Sequence, residues 1–326
     1  MKAYVITIPG TPDALTLKDI PDPIATDGQV HIQIAAFGLN RAEAVTRQGG
    51  SGNAVVFPRV IGIECVGTVI NAPGTSLKPG QKVAALMGGM GRKFDGSYAE
   101  QTVVPVANVI PIDTTLAWTD FAAIPETFLT AWGCLFEALQ VQRGAHVVMR
   151  PGASALGLAV TQIVNHIGGE VIGVTRSIHK VEAMKRAGMA DVIVADGAVA
   201  DDVRRIWQGG AIHIVETVTN SLTVNDNLKI KGRGGRVCIA GSLASSSGQS
   251  LGLGVMLAML RPSVRIFSSE RVTAAKYGEV LQAIVRNVES GVYKTNIAEV
   301  IPFANLVDAH VGIDSNRYVG KVVVRL

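Results

Sequence analysis

The spacing of apolar positions divides the chain into stretches of different character. From residue 1 to about 120, apolar residues come in short runs, several of them alternating with polar positions: KAYVITI, QVHIQIAAFGL, CVGTVI and KVAALM. A period of two predicts half-buried β-strands, and the turn formers between the runs (PGTPD, APGTSLKPG, GGMGRKFDGS) predict a β-rich first domain. The pattern changes near residue 117. LAWTDFAAIPETFLTAWGCLFEAL spaces Phe, Leu and Trp helically, with Thr119 or Asp120 placed to cap the start.

From residue 145 onward, strand and helix patterns alternate. HVVMR, EVIGVTR, DVIVA, IHIVETV and GRVCIAGS read as strands, and ALGLAVTQIVNHIG, HKVEAMKRAG and VADDVRRIW as helices. Val/Ile-rich strands in such an order predict a doubly wound parallel sheet covered on both faces. The final stretch predicts a helix, KYGEVLQAIVRNVESG, and two strands, IAEVIPF and GKVVVRL, that return to the first domain. The expected organisation is a first domain over 1–121, an α/β domain over 122–268, and a returning segment over 269–326.

Composition narrows the class. At 326 residues the chain is long enough for two domains with cores of their own, and 48% hydrophobic against 17% charged residues excludes a disordered chain. The net charge of +4 is a mild surplus of 30 basic over 26 acidic residues, and no Lys/Arg run forms a nucleic-acid stripe. Cys65, Cys134 and Cys238 have neither paired nor metal-ligand spacing and read as buried thiols of a reducing compartment. MKAYVITIPG enters a strand pattern directly, without a signal-peptide core. The most apolar late run, LGLGVMLAML, is far short of the roughly 20 residues of a membrane span, so the expected location is cytoplasmic.

Candidate chemistry begins at VVMRPGASALG, a strand running into a small-residue turn and then a helix. The dinucleotide fingerprint G-x-G-x-x-G is present at Gly152 and Gly157 but has Ser154 in its middle place. Taken alone, this is as consistent with an unliganded turn as with a nucleotide site. Its position, after a strand and at the head of a series of β–α units, favours the nucleotide. The amides of Ala155, Leu156 and Gly157 then face a pyrophosphate, and the Ser154 hydroxyl could donate to it. The next strand ends at Thr175, 23 residues after Gly152, where an acid would hold the ribose hydroxyl of NAD. Thr175, Arg176 and Ser177 stand there instead, with Lys180 one turn on. Cations and hydroxyls attract a 2′-phosphate that a carboxylate would repel, which points to NADPH.

Several further stretches stand in order: GLNRAEAVTRQG, FPRVIGIECVGTV, FDGSYAE and AAIPETFLTAW, leading into the turn and finally VGKVVVRL. This set resembles the medium-chain dehydrogenase/reductase superfamily, in its zinc-free quinone oxidoreductase (zeta-crystallin-like) branch, over essentially the whole chain. The resemblance implies a β-rich GroES-like catalytic domain and a Rossmann-type cofactor domain. It also implies that Asn40 and Thr130 lie beside the nicotinamide, with Gly241, Ser242 and Leu243 approaching the cofactor from the other side. Outside the resemblance, Asn40 reads as a turn residue and Thr130 as a helix hydroxyl bonded to its own backbone.

The departures from zinc alcohol dehydrogenases matter. Those enzymes carry a cysteine at the position of Asn40 and a His-Glu pair at that of Ile63-Glu64, and the structural-zinc cysteines have no counterpart here. No metal is expected, and without a Lewis acid the expected acceptors are quinones or conjugated enones, whose product anions are already delocalised. Many relatives carry a tyrosine after GLNRAE. RQGGSGNAVVFP has none, so no general acid is assigned and Tyr98 is read as structural. Arg47, Asn53, Arg92 and Lys93 read as loop residues, solvated or touching substrate. Alternative readings are a 2-enoyl-thioester reductase of the same superfamily, or a non-catalytic crystallin-like protein that binds NADPH or RNA. Medium-chain relatives commonly pair a Rossmann edge strand with that of a second protomer, so a homodimer closing the SVRIFSS edge is expected, with no membrane partner and a small-molecule substrate.

Overall fold

The computed structural model describes residues 1–241 and 253–326, which form two compact units, Met1–Leu129 with Ser269–Leu326, and Thr130–Ser268. In the first unit, β1 (Lys2–Ile6) pairs antiparallel with β2 (Thr16–Asp19). The larger sheet is built around β3 (Gln29–Leu39), and β4 (Arg59–Val60) joins the other side of β1. Beside β3 lie β5 (Glu64–Asn71), β6 (Lys82–Leu86) and, on the far side of β6, β8 (Val109–Pro111); β7 (Gln101–Pro105) pairs with β3 as well. Val30, Ile32, Ile34 and Ala36 alternate into the core as the period of two requires. From Phe37 the strand is covered on both faces, because the C-terminus returns to it.

That return is made by β15 (Ile297–Pro302) and β16 (Lys321–Arg325). β16 lies between β15, to which it is parallel, and β3, to which it is antiparallel with Val322 opposite Leu39. A strand with neighbours on both edges and cover on both faces needs a continuous apolar run, which Val322–Val324 supply. α1 (Arg41–Arg47) follows β3 directly and is held to the C-terminal helix of the unit, Leu306–Asp314, by the Arg47–Asp314 ion pair.

The expected long helix after residue 117 is three pieces. α2 (Trp118–Ala122) is capped by Ala117 with no side-chain bond, so neither Thr119 nor Asp120 is the cap; Asp120 lies in the first turn, where its charge favours the helix dipole. α3 (Pro125–Trp132) starts at Pro125, whose missing N–H is harmless in a first turn. A π-helical turn, Gly133–Leu139, follows. A Cβ on Gly133 would collide with the Phe267 ring, so glycine lets the segment pack close.

In the second unit six parallel strands, β9 (His146–Arg150), β10 (Glu170–Thr175), β11 (Asp191–Val194), β12 (Ile212–Glu216), β13 (Val237–Ile239) and β14 (Val264–Ile266), take the order β11-β10-β9-β12-β13-β14. The connecting helices are α4 (Ala155–His166), α5 (Val181–Arg186), α6 (Ala200–Ile206), α7 (Ser221–Ile230) and α8 (Leu253–Met259). Val148, Ile172, Ile214 and Val237 form the core of one sheet face with Val203 and Trp207. The chain winds outward from β9 to β11 and then reverses from β12, so the sheet has a topological switch between β9 and β12. No helix among the described residues is long and apolar enough to cross a membrane.

Candidate functional site

At a switch point the loops leaving adjacent strands diverge and open a crevice at the carboxyl ends of the strands. The turn Pro151–Ser154 leaves β9 at that place and opens α4. Gly152 donates its N–H to Val174 O of β10 at 2.8 Å, binding the turn to the neighbouring strand end. Close packing explains both fingerprint glycines: a Cβ on Gly157 would collide with the Gly152 carbonyl oxygen, and one on Gly152 would stand 2.8 Å from Gly173 Cα.

The Ser154 hydroxyl is bonded within the turn. Ser154 is the N-cap of α4: its Oγ accepts from Gly157 N–H at 3.0 Å and donates to Pro151 O at 2.9 Å. The hydroxyl hydrogen is spent inside the turn, and so is the Gly157 amide. Ala155 and Leu156, as the first helical residues, have no intrahelical acceptor for their amides, which are the kind of donors an anion at a helix N-terminus uses. Behind it, Arg150 at the end of β9 is buried and pairs with the equally buried Asp226 at 2.8 Å. Asp226 also accepts from Val199 N–H and Ala200 N–H, so one carboxylate anchors the β9 end and the start of α6 together.

Thr175 closes β10 with its side chain buried, its Oγ1 accepting from Ser177 N–H at 3.2 Å. Arg176 beyond it is exposed, while Lys180 is largely buried at the start of α5. Gly241 lies two residues past β13, its carbonyl accepting from Thr219 Oγ1 at 2.6 Å. The ends of β9, β10, β12 and β13 therefore gather Gly152, Thr175, Thr217 and Gly241 along one edge of the sheet, with Thr217 N–H donating to Arg150 O. Ser242 and Leu243 lie outside the described residues. Thr130 begins the second unit and is buried.

In the first unit, Asn40 is the N-cap of α1 and the corner of a buried polar network. Glu43, three residues on, accepts from the Asn40 backbone N–H at 2.7 Å. The Asn40 carboxamide donates from Nδ2 to Glu64 Oε1 at 2.9 Å, and its Oδ1 accepts from Lys321 Nζ at 2.7 Å. Lys321 also pairs with Glu64 Oε1 at 2.6 Å, with both side chains 1% exposed. The second Glu64 oxygen accepts from Glu126 N–H in the first turn of α3 at 2.8 Å. The Lys321 and Glu64 charges match one another, the condition under which their burial is tolerable.

Glu43 anchors a second buried group. Its other contacts are Ile63 N–H at 3.0 Å and Tyr98 OH at 2.9 Å, and Tyr98 OH in turn meets His310 Nε2 at 2.9 Å. Burial lifts the Glu43 carboxyl to about 7 against the opposing pull of the Asn40 and Ile63 amides. Burial, and next the Glu43 charge, hold Tyr98 well above the usual phenol range, so this tyrosine keeps its proton. Burial and then the Arg47 charge push His310 down to about 3, leaving it neutral. Arg47 is fully buried on α1, pairing with Asp314 at 2.6 Å, and is no loop residue. Arg92 is tied to Glu270, whereas Asn53 and Lys93 are exposed.

Sequence reasoning singled out Asn40 but missed Lys321 and Glu43. Glu43 had a signal, the Asn-x-x-Glu spacing of a capping box. Lys321, 281 residues from Asn40, had none. Among the described residues no three His, Cys, Asp or Glu side chains gather as a metal-ligating group.

Comparison with known proteins agrees with this architecture. Residues 26–114 match the alcohol dehydrogenase GroES-like domain and residues 155–286 the zinc-binding dehydrogenase family. The chain is 26% identical to a phenolphthiocerol/phthiocerol polyketide synthase of Mycobacterium tuberculosis, over 98% of this chain but only 14% of that protein's length. It is also 26% identical to the quinone oxidoreductase of Rattus norvegicus, over 100% of this chain and 98% of the relative. Among solved structures, the Escherichia coli quinone oxidoreductase complexed with NADPH superposes with a TM-score of 0.87 at 18% identity, covering 100% of both chains. The chain belongs to the medium-chain dehydrogenase/reductase superfamily.

Proposed function

We propose that the protein is an NADPH-dependent reductase that transfers hydride to a quinone or conjugated enone without a metal. The observation that carries this is the crevice of the second unit. It combines a switch point, a turn narrowed by Gly152 and Gly157, the amides of Ala155 and Leu156, and an exposed Arg176 where an acid would select NAD. NADPH, when bound, supplies the hydride. The chain's own residues bind its pyrophosphate at the head of α4 and draw its 2′-phosphate to Arg176, and Asn40 orients the acceptor. Tyr98 is committed to Glu43 and offers no proton, so solvent supplies the proton that completes reduction.

The match to a polyketide synthase over 98% of the chain favours a second reading, reduction of a 2-enoyl thioester. Titrating the purified protein with NADPH by fluorescence, then assaying quinones, alkyl enones and 2-enoyl thioesters, tests both. Quenching with turnover of quinones or alkyl enones supports the first, and turnover confined to thioesters the second. Binding without turnover of any acceptor leaves a non-catalytic binder and refutes both.

A further inference from the structure

The triangle of Lys321, Asn40 and Glu64 permits one assignment of the Asn40 carboxamide. An ammonium only donates, so the atom facing Lys321 is Oδ1; a carboxylate only accepts, so the atom facing Glu64 is Nδ2. This uses the oxygen and one amide hydrogen. Among the described residues the second Nδ2 hydrogen has no acceptor, and Asn40 is half-buried rather than sealed. Lys321 stands on the first residue of β16 and Glu64 on the first of β5, so two rigid strands hold the carboxamide in place.

We propose that Lys321 is a positioning residue for hydride transfer. Its buried ammonium, acting through the Asn40 carboxamide, strengthens the free Nδ2–H as a donor to the acceptor oxygen that becomes negative. This rests on the reading of the protein as an enone or quinone reductase. In an enone, hydride from the reduced nicotinamide adds to the β carbon, the C=C pair moves toward the carbonyl carbon, and the carbonyl pair ends on oxygen. The enolate then takes one proton from water at its α carbon, so the product has gained two electrons and two hydrogens and the nicotinamide has lost two electrons. A cation on Oδ1 withdraws electron density from the amide nitrogen, and such polarisation along a hydrogen-bond chain is stronger in a low-dielectric interior. Glu64 neutralises the ammonium and takes the other amide hydrogen, fixing which one is left for the acceptor.

Removing Lys321 alone would leave Glu64 charged and buried, so the test removes both charges: Lys321→Met with Glu64→Gln, whose single oxygen keeps the bond from Asn40 Nδ2 and so the orientation of that carboxamide. Melting temperature, NADPH affinity, and kcat and KM for an alkyl enone and a quinone are compared with the unmodified protein, with Lys321→Arg and with Asn40→Ala. The paired variant is expected to fold and bind NADPH normally but to lose about 100-fold in kcat on the alkyl enone, the size of a lost oxyanion donor. The loss on the quinone, whose anion is delocalised, should be smaller. Lys321→Arg should restore most of the enone rate, and Asn40→Ala should leave nothing more for the paired change to remove. Unchanged enone kcat in the folded paired variant, or equal losses on both acceptors, overturns the proposal. Should that variant not fold, the Asn40 side-chain resonance in 15N-asparagine-labelled unmodified protein decides, identified by its loss in Asn40→Ala. It is expected downfield of the other carboxamides, and a position among them overturns the proposal. If the unmodified protein reduces no enone or quinone with NADPH, the functional reading itself fails, and the role of Lys321 in that reaction falls with it.

Discussion

At the scale of single residues, the proposed preference for NADPH is tested at the end of β10. Arg176→Ala is expected to weaken NADPH by about 1–3 kcal/mol, the range for a charge-assisted hydrogen bond, and to leave NADH nearly unchanged. Equal losses for the two in a direct titration would remove the 2′-phosphate assignment. The buried cluster of the first unit should set part of the pH dependence of stability. His310 protonates near 6.5 when unfolded but is held to about 3 when native, so its contribution is present above 6.5 and lost as pH falls toward 3. Glu43 acts the other way: raised from 4.5 to about 7, it contributes fully below 4.5 and loses that contribution as pH rises through 7. The two oppose one another between 4.5 and 6.5, leaving His310 alone in acid. His310→Gln, which keeps a donor for Tyr98, should therefore shrink the fall in urea midpoint between pH 6.5 and 3. An acid limb as steep as before would show that His310 does not carry it.

At the scale of elements, the sequence pattern identified most strands and helices because each carries its own period. β3 alternates, β9 to β12 are short branched runs, and α4 opens at a capping serine. What the pattern could not show was how capping residues are spent. Ser154 looks like a ligand donor in the fingerprint, yet its hydroxyl closes the first turn of α4. Ser154→Ala should cost about 1 kcal/mol in the unfolding of the second unit, with less effect on NADPH affinity than Arg176→Ala. A large affinity loss with unchanged stability would return the hydroxyl to the phosphate. The helix after residue 117 was legible as apolar spacing but not as separate pieces, since Pro125 and the packing of Gly133 on Phe267 act through backbone geometry that periodicity does not encode.

At the scale of the whole molecule, β14 is the last strand of its sheet among the described residues. On it Ile266 is 58% exposed, and on α8 nearby Met256 and Leu257 are exposed too. An apolar sheet edge open to water invites pairing, and a two-fold partner is the simplest way to close it. A homodimer is therefore predicted, with Ile266→Lys giving a monomer. Ile266 is the informative site because Val264 is buried, where a charge would unfold the unit rather than report on an interface. Light scattering that finds the unmodified protein monomeric at micromolar concentration refutes this.

Four features could be read from the chain before any fold was known: the order of elements, the alternation that makes the second unit a parallel α/β sheet, the glycine turn at Gly152 to Gly157, and the lack of an acid at the end of the strand that follows. They are legible because each depends on neighbours within a few residues: hydrophobic period, turn chemistry and cap spacing act locally. It took the folded chain to show that Lys321 and Glu64 meet at Asn40, that the Tyr98 hydroxyl is spent on Glu43 and His310, and that Arg47 is a buried ion pair. The contacts at Asn40 join residues 24 and 281 positions apart, brought together by the pairing of β16 with β3 and β3 with β5. A buried charge is stable only where its partner arrives, and where it arrives is set by strand pairing, which no local pattern states.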